Sequence, residues 1–487
     1  MDNLEQYHKS IDAIGLSDTW NKILTEIFPS EFFAPDRLGG LYEDGLAYSN
    51  KIEKKAMGKY YTPIDVAEVM AEYLLRFPEE NVCDICCGTG NLILAVLNKM
   101  GEAAAIDALK NGHIYLYDID PIAGNICQAI IKNKYGYTAN LYVGDCLNKD
   151  VHFPANAKVI SNPPYGKLEE LKNSSFACAK KTKEQYVAFM EKILDEKVPC
   201  VIITPHSFMG GSTFKSLRES MLQFGGEIFS FDNVPANIFK GKKYGIFNSN
   251  EANSTRAAIT IIDPKKKGYL ISPFIRFKTS ERSQVLNCEF LDSLLPKLVQ
   301  TNSKEIFYRL QPGTEELISK WLQSKKTLKT LISPTKTDYC LTVPNTCRYF
   351  TTGSFKSLAR TGKMELYFKN EKDFLLAYAF INSSFCYYWH RMCNGGITYP
   401  ITLIKDMPIF EVDNTELFDF CLSMIEEEED WLVYKLNAGE EQENIKFPAE
   451  YRAKINYYLQ NALRVNIVDM ENIHSNSCLE EKNKEEA

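Results

Sequence analysis

From residue 81 onward, short apolar runs alternate with longer segments that carry apolar residues at helical spacing. This alternation predicts a doubly wound α/β fold, in which helices cover both faces of a mostly parallel sheet, since a crossover between parallel strands needs a helix's length of chain. The predicted strands are NVCDI (81–85), HIYLYDI (113–119), ANLYVGD (139–145), AKVIS (157–161), PCVIITP (199–205) and, as the last of the sheet, RAAITIID (256–263).

The pattern changes on both sides of this region. Residues 1–57 are predicted to be a helical segment, 58–265 the α/β domain, 266–410 a mixed α+β region, and 411–487 an acidic helical region. In the α/β domain, a helix beginning at Pro63 should bury one apolar face: Val66, Val69, Met70, Tyr73 and Leu74. Further helices are predicted for KDFLLAYAFINSSFCYYWHRM (372–392), EEEEDWLVYKL (426–436) and PAEYRAKINYYLQNALRVN (448–466).

Charge is distributed unevenly along the chain. The net charge is −7, yet residues 235–410 hold 26 Lys and Arg against 13 Asp and Glu, whereas 411–487 hold 7 basic and 19 acidic residues. The basic stretch suits contact with nucleic-acid phosphates, although charge alone fits a solvated surface equally well. The chain has no apolar run of about 18 residues and no signal-peptide core, so we expect no membrane contact and no export.

The 14 cysteines are scattered along the chain and lack the regular spacing of a disulfide framework. This usage is typical of a reduced, cytoplasmic protein and not of a disulfide scaffold. Cys83, Cys86 and Cys87 resemble half of a zinc site, but no second pair follows at a usable spacing. We therefore expect core packing there and no metal.

Polar residues mark the ends of the first four predicted strands. Asp84, Asp118, Asp145 and Asn162 take these positions, and Gly88-Thr89-Gly90 begins the helix after the first strand. In open parallel sheets, ligands bind beyond the carboxyl ends of the strands, near the reversal of strand order. A glycine turn lets the backbone approach a ligand, and a carboxylate after the second strand can bind both hydroxyls of a ribose. The pattern therefore predicts a site for a nucleoside cofactor.

The glycine turn also restricts the kind of cofactor. A dinucleotide fingerprint needs a third glycine where this chain has Ile93, and no Gly-Lys-Ser/Thr phosphate loop is present. An adenosine-containing cofactor without a pyrophosphate fits better, and S-adenosylmethionine is the candidate.

A stiff loop follows the fourth predicted strand in VISNPPYGK (159–167). Each proline fixes its own φ and pushes the preceding residue toward extended geometry. The Asn162 side-chain oxygen and the Pro163 carbonyl are two acceptors, which match the two N–H donors of a base's exocyclic amino group. Tyr165 offers a flat face for a flipped base. We therefore predict that positioning and electrostatics carry a methyl transfer here, with four catalytic candidates: Asn162, Pro163, Pro164 and Tyr165.

In their order, these motifs resemble the gamma-class adenine-N6 DNA methyltransferases of restriction–modification systems, over roughly residues 58–265. The resemblance implies a class I methyltransferase domain with a Rossmann-like fold, followed by a target-recognition region over 266–410. The stretch FINSSFCYYWHRMCNGGITYPITLIKDMPIF (380–410) resembles the end of the target-recognition region in these enzymes. Ile85 replaces the family's usual proline, and Cys86 takes a position that is often small and polar. The matching motifs are GKYYTP (58–63), DICCGTGNL (84–92), YDIDP (117–121), GDCL (144–147) and NPPY (162–165).

The resemblance also implies roles for matching residues. Tyr61 and Thr62 should line the methionine end of the cofactor, and Asp84 and Gly88 should lie at its centre. Asp118 should hold the ribose, Ile119 should pack on the adenine ring, and Asp145 should bond its amino group. Cys86, Gly90 and Cys146 complete the predicted cofactor site. Phe239 is the candidate for a second aromatic against the target base.

Duplex DNA is the expected partner, and a cognate restriction endonuclease or specificity subunit is a further one. Phosphate contacts are expected from basic residues of the middle region, which are Lys240, Lys242, Lys243, Arg276, Arg348 and Arg360.

Other functions remain open at this point. The same loop also occurs in enzymes that methylate guanine in ribosomal RNA or a protein glutamine, and its two acceptors would equally suit the N4 amino group of cytosine. A DNA-binding subunit with an inactive methyltransferase fold is an alternative of a different class, although no residue of the predicted site is missing.

Overall fold

The computed structural model describes residues 62–167, 176–240, 255–296, 304–347, 349–396, 398–437, 439–464 and 466–479. The chain divides into two compact units. The first comprises 1–271, 275–295 and 302–306, and the second comprises 272–274, 296–301 and 307–487. The predicted segment 1–57 lies outside the described residues, and the bounds of the four predicted regions stay predictions.

An eight-stranded sheet forms the centre of the first unit. Its strands are β1 (Asn81–Asp84), β2 (Ile114–Asp118), β3 (Asn140–Val143), β4 (Ala157–Ser161), β5 (Cys200–Pro205), β6 (Gly225–Phe231), β7 (Ala257–Asp263) and β8 (Gly268–Ile275), of which residues 272–274 are grouped with the second unit. The order is β3-β2-β1-β4-β5-β7-β6-β8. Strands β1 to β5 pair in parallel, and β7 is antiparallel to both β5 and β6. The predicted doubly wound, mostly parallel α/β fold is therefore confirmed.

Helices cover this sheet. All five residues of β4 are buried, which requires cover on both faces because successive side chains point to opposite sides. The predicted apolar stripe before β1 is confirmed, since its five residues are all buried in the first helix. The helices are α1 (Ile64–Leu75), α2 (Asn91–Met100), α3 (Glu102–Lys110), α4 (Pro121–Tyr135), α5 (Ala177–Thr182), α6 (Gln185–Glu196), α7 (Lys215–Met221), α8 (Arg282–Val285) and α9 (Cys288–Ser293).

The far side of the sheet differs from the prediction. RAAITIID does form β7, but it is not the last strand, because β6 and β8 lie beyond it in the sheet. Strand β6 begins with two glycines, which weaken its strand pattern in the sequence. Gly226 is required there, since a Cβ would lie 2.0 Å from the carbonyl oxygen of Ile261 on β7. The glycine that obscures the strand therefore permits its close pairing.

The strand order reverses at the centre of the sheet. The chain runs from β1 outward to β2 and β3, and then returns to place β4 on the other side of β1. Asp84, the last residue of β1, is in register with Ile160 of β4. The loops that follow β1 and β4 therefore leave the sheet side by side, at the position where open α/β sheets bind ligands.

The second unit mixes small sheets and helices, as predicted for the C-terminal region. Two antiparallel pairs occur, β9 (Cys340–Pro344) with β10 (Lys363–Tyr367) and β11 (Leu432–Asn437) with β12 (Glu440–Ile445). In the described residues, no helix is long and apolar enough to cross a membrane. The helices are α10 (Glu315–Leu322), α11 (Glu371–Asn382), α12 (Ser384–Cys393), α13 (Ile401–Lys405), α14 (Thr415–Glu426), α15 (Ala449–Leu463) and α16 (Val468–Glu471).

Two helix predictions in this unit need correction. The single helix expected over 372–392 is interrupted at Ser383, whose extended backbone and side-chain oxygen cap α12. The helix expected over 426–436 is wrong for most of its length. Residues 432–437 instead form β11, which reverses into β12 through Gly439 at a φ of 86°. Glycine adopts this left-handed backbone without strain, so the hairpin is favoured.

Candidate active site

The carboxyl end of β1 carries a buried acidic group. The side chain of Asp84 is fully buried, and within the described residues neither of its carboxylate oxygens has a well-formed hydrogen bond. Burial is the main cause that raises the pKa of Asp84 to about 8; the nearby Asp118 carboxylate contributes to the rise, and the backbone amides of Cys86 and Ile93 partly oppose it. A ligand that brings positive charge or a hydrogen-bond donor to Asp84 would relieve this desolvation.

The loop after β1 has a shape that requires glycine. Gly88 and Gly90 both have positive φ, of 51° and 101°. A Cβ on Gly90 would lie 2.6 Å from the sulfur of Cys127, which is on α4. The backbone of this loop is therefore held directly against α4 and leads into α2 without side-chain bulk.

Asp118, at the end of β2, fixes this loop from the neighbouring strand. Its two carboxylate oxygens accept hydrogen bonds from the amide of Gly88, at 2.7 Å, and from the amide of Asp120, at 2.8 Å. The next residue, Ile119, is 70% exposed, which is unusual for a large apolar side chain beside a buried strand. This exposed apolar surface next to a carboxylate matches the predicted adenine and ribose contacts, which stay predictions.

The predicted residues after β3 separate into two environments. Asp145 is exposed. Cys146 is buried, and its sulfur lies 3.4 Å from the carbonyl oxygen of Ile85. Burial raises the pKa of the Cys146 thiol to about 12 and raises that of Cys86 well above its usual value. Both thiols are therefore neutral at physiological pH, and the buried Cys146 packs against the loop after β1.

The loop after β4 is fixed at both ends. The Asn162 side-chain amide donates to the hydroxyl of Thr62 at 2.9 Å, and the Tyr165 hydroxyl donates to the carbonyl of Ile203 at 3.1 Å. The carbonyl of Thr62 accepts a hydrogen bond of 3.2 Å from Asn91, the first residue of α2. Thr62 therefore links the predicted catalytic loop to the glycine loop through two hydrogen bonds.

Aromatic residues surround Tyr165. The Phe239 ring lies 6.0 Å from it, centroid to centroid, at an interplanar angle of 65°. Phe239 is therefore brought to the site, as the sequence predicts. Tyr186 of α6 lies 6.5 Å from the Tyr165 ring, and its hydroxyl is 2.9 Å from that of Ser207. Sequence reasoning missed Tyr186, because its helical pattern indicates only a buried position.

The structure changes the list of predicted DNA contacts. Arg276 is only 4% exposed, and its Nε lies 2.9 Å from the buried carboxylate of Asp232, which also binds Arg256. The prediction that Arg276 contacts phosphate is corrected on this ground. Arg360 is half-buried, and its guanidinium donates to Gly362 and Asn444. Tyr61, Lys242, Lys243 and Arg348 lie outside the described residues, and the side chain of Lys240 is not described.

Residues 33–283, about half of the chain, match the family model of the N-6 DNA methylases. The chain belongs to this family. The matched range includes Asp84, Asp118, the NPPY loop and Phe239. The resemblance predicted from the motifs is thereby confirmed at the level of the family.

This N-6 DNA methylase is also similar to curated proteins. It is 28% identical over 221 residues to the type II methyltransferase M.VspI of Vibrio sp. (strain 343), a match that covers 43% of this chain and 50% of the relative. It is 28% identical over 152 residues to the type I restriction enzyme MjaIX methylase subunit of Methanocaldococcus jannaschii, covering 31% and 26%. The chain thus spans at most half the length of these relatives.

Among solved structures, the fold is similar to a nuclease-deletion mutant of the type ISP restriction-modification enzyme LlaGI in complex with a DNA substrate mimic. The TM-score is 0.46 at 12% sequence identity, and the match covers 86% of this chain and 60% of that one.

Proposed function

We propose that this chain is a site-specific, adenine-specific DNA methyltransferase, which transfers a methyl group from S-adenosylmethionine to N6 of a flipped adenine in duplex DNA. The observation that carries the proposal is the pair of hydrogen bonds made by Thr62. They join Asn162 of the NPPY loop to Asn91, directly after the glycine loop, at the point where the strand order reverses. A loop suited to hold an amino group therefore adjoins a loop suited to hold a nucleoside cofactor.

The residues present fit S-adenosylmethionine. Asp84 offers a buried carboxyl that a cationic ligand would stabilise, and the loop at Gly90 has no room for a side chain. Asp118 would hold the ribose, and the exposed side chain of Ile119 would cover the adenine ring. When bound, S-adenosylmethionine supplies the methyl group.

The NPPY loop would orient the acceptor. The Asn162 side-chain oxygen and the Pro163 carbonyl would accept the two N–H groups of the adenine amino group. This pairing would favour a pyramidal nitrogen and aim its lone pair at the site of transfer. Tyr165 would stack on the base, and the bonds to Thr62 and Ile203 hold the loop in place before DNA binds. The chemistry therefore depends on positioning and needs no strong base.

Sequence choice would reside in residues 266–410, where basic side chains would contact phosphates and a few groups would read base edges. We further propose a cytoplasmic restriction–modification role, with an endonuclease or specificity subunit as partner. The relatives named above, one from a type II and one from a type I system, support this context.

The experiment is transfer of labelled methyl from S-adenosylmethionine to duplex DNA that lacks methylated adenine. The product is hydrolysed to nucleosides and separated. Asn162→Ala should abolish the label, whereas Asn111→Ala should keep it, because Asn111 follows α3 and lies before β2, away from the carboxyl edge of the sheet. Cofactor binding by calorimetry shows that both variants are folded.

The identity of the labelled nucleoside decides between the alternatives. Label in N6-methyladenine supports the proposal, and mapping the modified positions gives the recognition sequence. Label in N4-methylcytosine would correct the base while keeping the site. If wild-type protein labels RNA or protein and not DNA, the proposal is wrong.

A further inference from the structure

We infer that the ion pair between Asp65 and Arg282 sets the position of Phe239 opposite Tyr165, and so controls how the target base is held. Asp65 and Arg282 are called the clamp below. This inference rests on the proposed function. It assigns two positioning residues, which would act on the base through Phe239 and not by direct contact.

Arg282 joins three parts of the first unit. Its Nε and Nη2 atoms donate to the two carboxylate oxygens of Asp65, at 2.5 and 2.9 Å. The same guanidinium donates to the carbonyl oxygens of Asn237 at 3.2 Å and of Ile238 at 2.6 Å. These are the two residues that directly precede Phe239. With its side chain only 12% exposed, Arg282 holds the backbone that carries this ring.

The other side of the clamp leads to the catalytic loop. Asp65 lies in the first turn of α1, three residues after Thr62, whose hydroxyl binds Asn162. The start of α1 therefore contacts the NPPY loop through Thr62 and the backbone before Phe239 through Asp65 and Arg282. The first turn of α1, with the residues just before it, thus fixes the distance between the NPPY loop, which carries Tyr165, and the backbone that carries Phe239.

The ring geometry shows why this separation matters. A planar base held between two parallel rings needs about 7 Å between them, two contact distances of about 3.5 Å. Phe239 and Tyr165 are 6.0 Å apart and steeply inclined, so Phe239 must turn to admit a base. The Phe239 amide is held by the side chain of Asn237 at 2.8 Å, which together with the clamp leaves side-chain rotation as the available movement. Loss of the clamp would let the backbone shift as well.

A second ion pair on α1 serves as a control for effects that come only from loss of an ion pair. Arg76 and Asp292 form another ion pair, at 3.0 Å, between the C-terminal end of α1 and α9. Eleven residues of helix separate Asp65 from Arg76, which is about 16 Å along the axis. Both pairs join α1 to the segment 282–292, but only the clamp contacts the backbone before Phe239.

The experiment compares Arg282→Lys, Asp65→Asn and their double variant with Arg76→Lys in the full chain. Lysine keeps the charge but cannot bind a carboxylate bidentately and two carbonyls together. We expect kcat/KM for DNA to fall about 10- to 100-fold in both clamp variants, through misplacement of the ring. KM for S-adenosylmethionine should not change, and the double variant should lose no more than a single one, because the two residues act as a unit.

A second readout needs no cofactor. A duplex with 2-aminopurine at the mapped target adenine reports by its fluorescence whether the flipped base is stacked. Clamp variants should bind this duplex with a fluorescence different from that of wild type, and Arg76→Lys should match wild type.

Three results would overturn the inference. The first is an equal loss in Arg76→Lys, and the second is a loss in clamp variants that only follows a lowered melting temperature. The third is unchanged fluorescence and kcat/KM in folded clamp variants, with cofactor binding as the test of folding. If the wild-type chain fails to methylate DNA at all, the proposed function is wrong and the inference falls with it.

Discussion

Substitution of Gly90 by alanine tests whether the glycine loop after β1 lies as close to α4 as the structure shows. Gly90 has a φ of 101°, where a side chain is strained whatever space surrounds it. Its Cβ would also lie 2.6 Å from the sulfur of Cys127, and this sulfur is buried and has little room to move. Two separate penalties are therefore expected.

A second glycine, Gly101, allows the cost of backbone strain at Gly90 to be separated from the cost of the clash. Backbone strain at a positive φ costs about 1–3 kcal/mol, and overpacking of a core contact costs about 1–3 kcal/mol more. Gly101 has a φ of 83° and nothing within 4 Å of a Cβ, so Gly101→Ala measures the strain alone. Gly90→Ala should therefore lower the free energy of unfolding by about 2–6 kcal/mol, and by more than Gly101→Ala.

The assay must report on the first unit, because a chain with two compact units can unfold in more than one step. Amide hydrogen exchange of β1 and α2 in urea meets this need. Adding Cys127→Ala to Gly90→Ala should recover the free energy of unfolding that is lost to the clash with the sulfur, but not the free energy that is lost to the unfavourable φ. If Cys127→Ala restores nothing, or if Gly90→Ala costs no more than Gly101→Ala, the described contact between the loop and α4 is wrong.

Three further predictions concern single side chains. Because the folded pKa of Asp84 is about 8 and the unfolded value is near 4, the folded state retains a proton that the unfolded state has released. Stability should therefore fall as pH rises from about 4 to 8, by up to about 1.4 kcal/mol per pH unit, and Asp84→Asn should remove this slope in urea titrations. Ile119→Ala should weaken cofactor binding about tenfold in calorimetry, yet leave stability within about 0.5 kcal/mol because Ile119 is exposed; an unchanged affinity would contradict the adenine contact. Arg276→Ala should cost about 3 kcal/mol in urea unfolding, since it breaks a buried pair with Asp232, and should leave the salt dependence of DNA binding unchanged; a shallower salt slope would restore the predicted phosphate contact.

Local pattern was sufficient to predict much of the first unit. The strands β1 to β5 and β7 are apolar runs of the right length. Burial leaves such a run little choice of structure in β1, β2, β4, β5 and β7, whereas β3 lies at the edge of the sheet and is mostly exposed. Residues at strand ends, such as Asp84 and Asn162, follow from the same argument, because parallel strands bring their carboxyl ends to one edge. Strand β6 and hairpin β11–β12 escaped prediction, since glycine and alternating polar residues weaken the signal that an isolated strand gives.

Ion pairs between residues that are far apart in sequence cannot be predicted from local pattern. Asp65 and Arg282 are 217 positions apart, and neither has a neighbour in sequence that distinguishes it from other surface charges. The prediction that Arg276 contacts phosphate needs correction for the same reason, because composition shows that a charge exists and not what it faces. Arg256 and Arg276 share Asp232 as their partner because β6, β7 and β8 lie together in the sheet, which brings residues 232, 256 and 276 close to one another. The buried carboxylate of Asp232 pairs with both guanidinium groups and holds them there, since separating either would leave a buried charge without its partner. Basic composition in this region therefore overstates the charge available to a DNA partner, and the proposed phosphate contacts would come from arginines and lysines that the core has not already engaged.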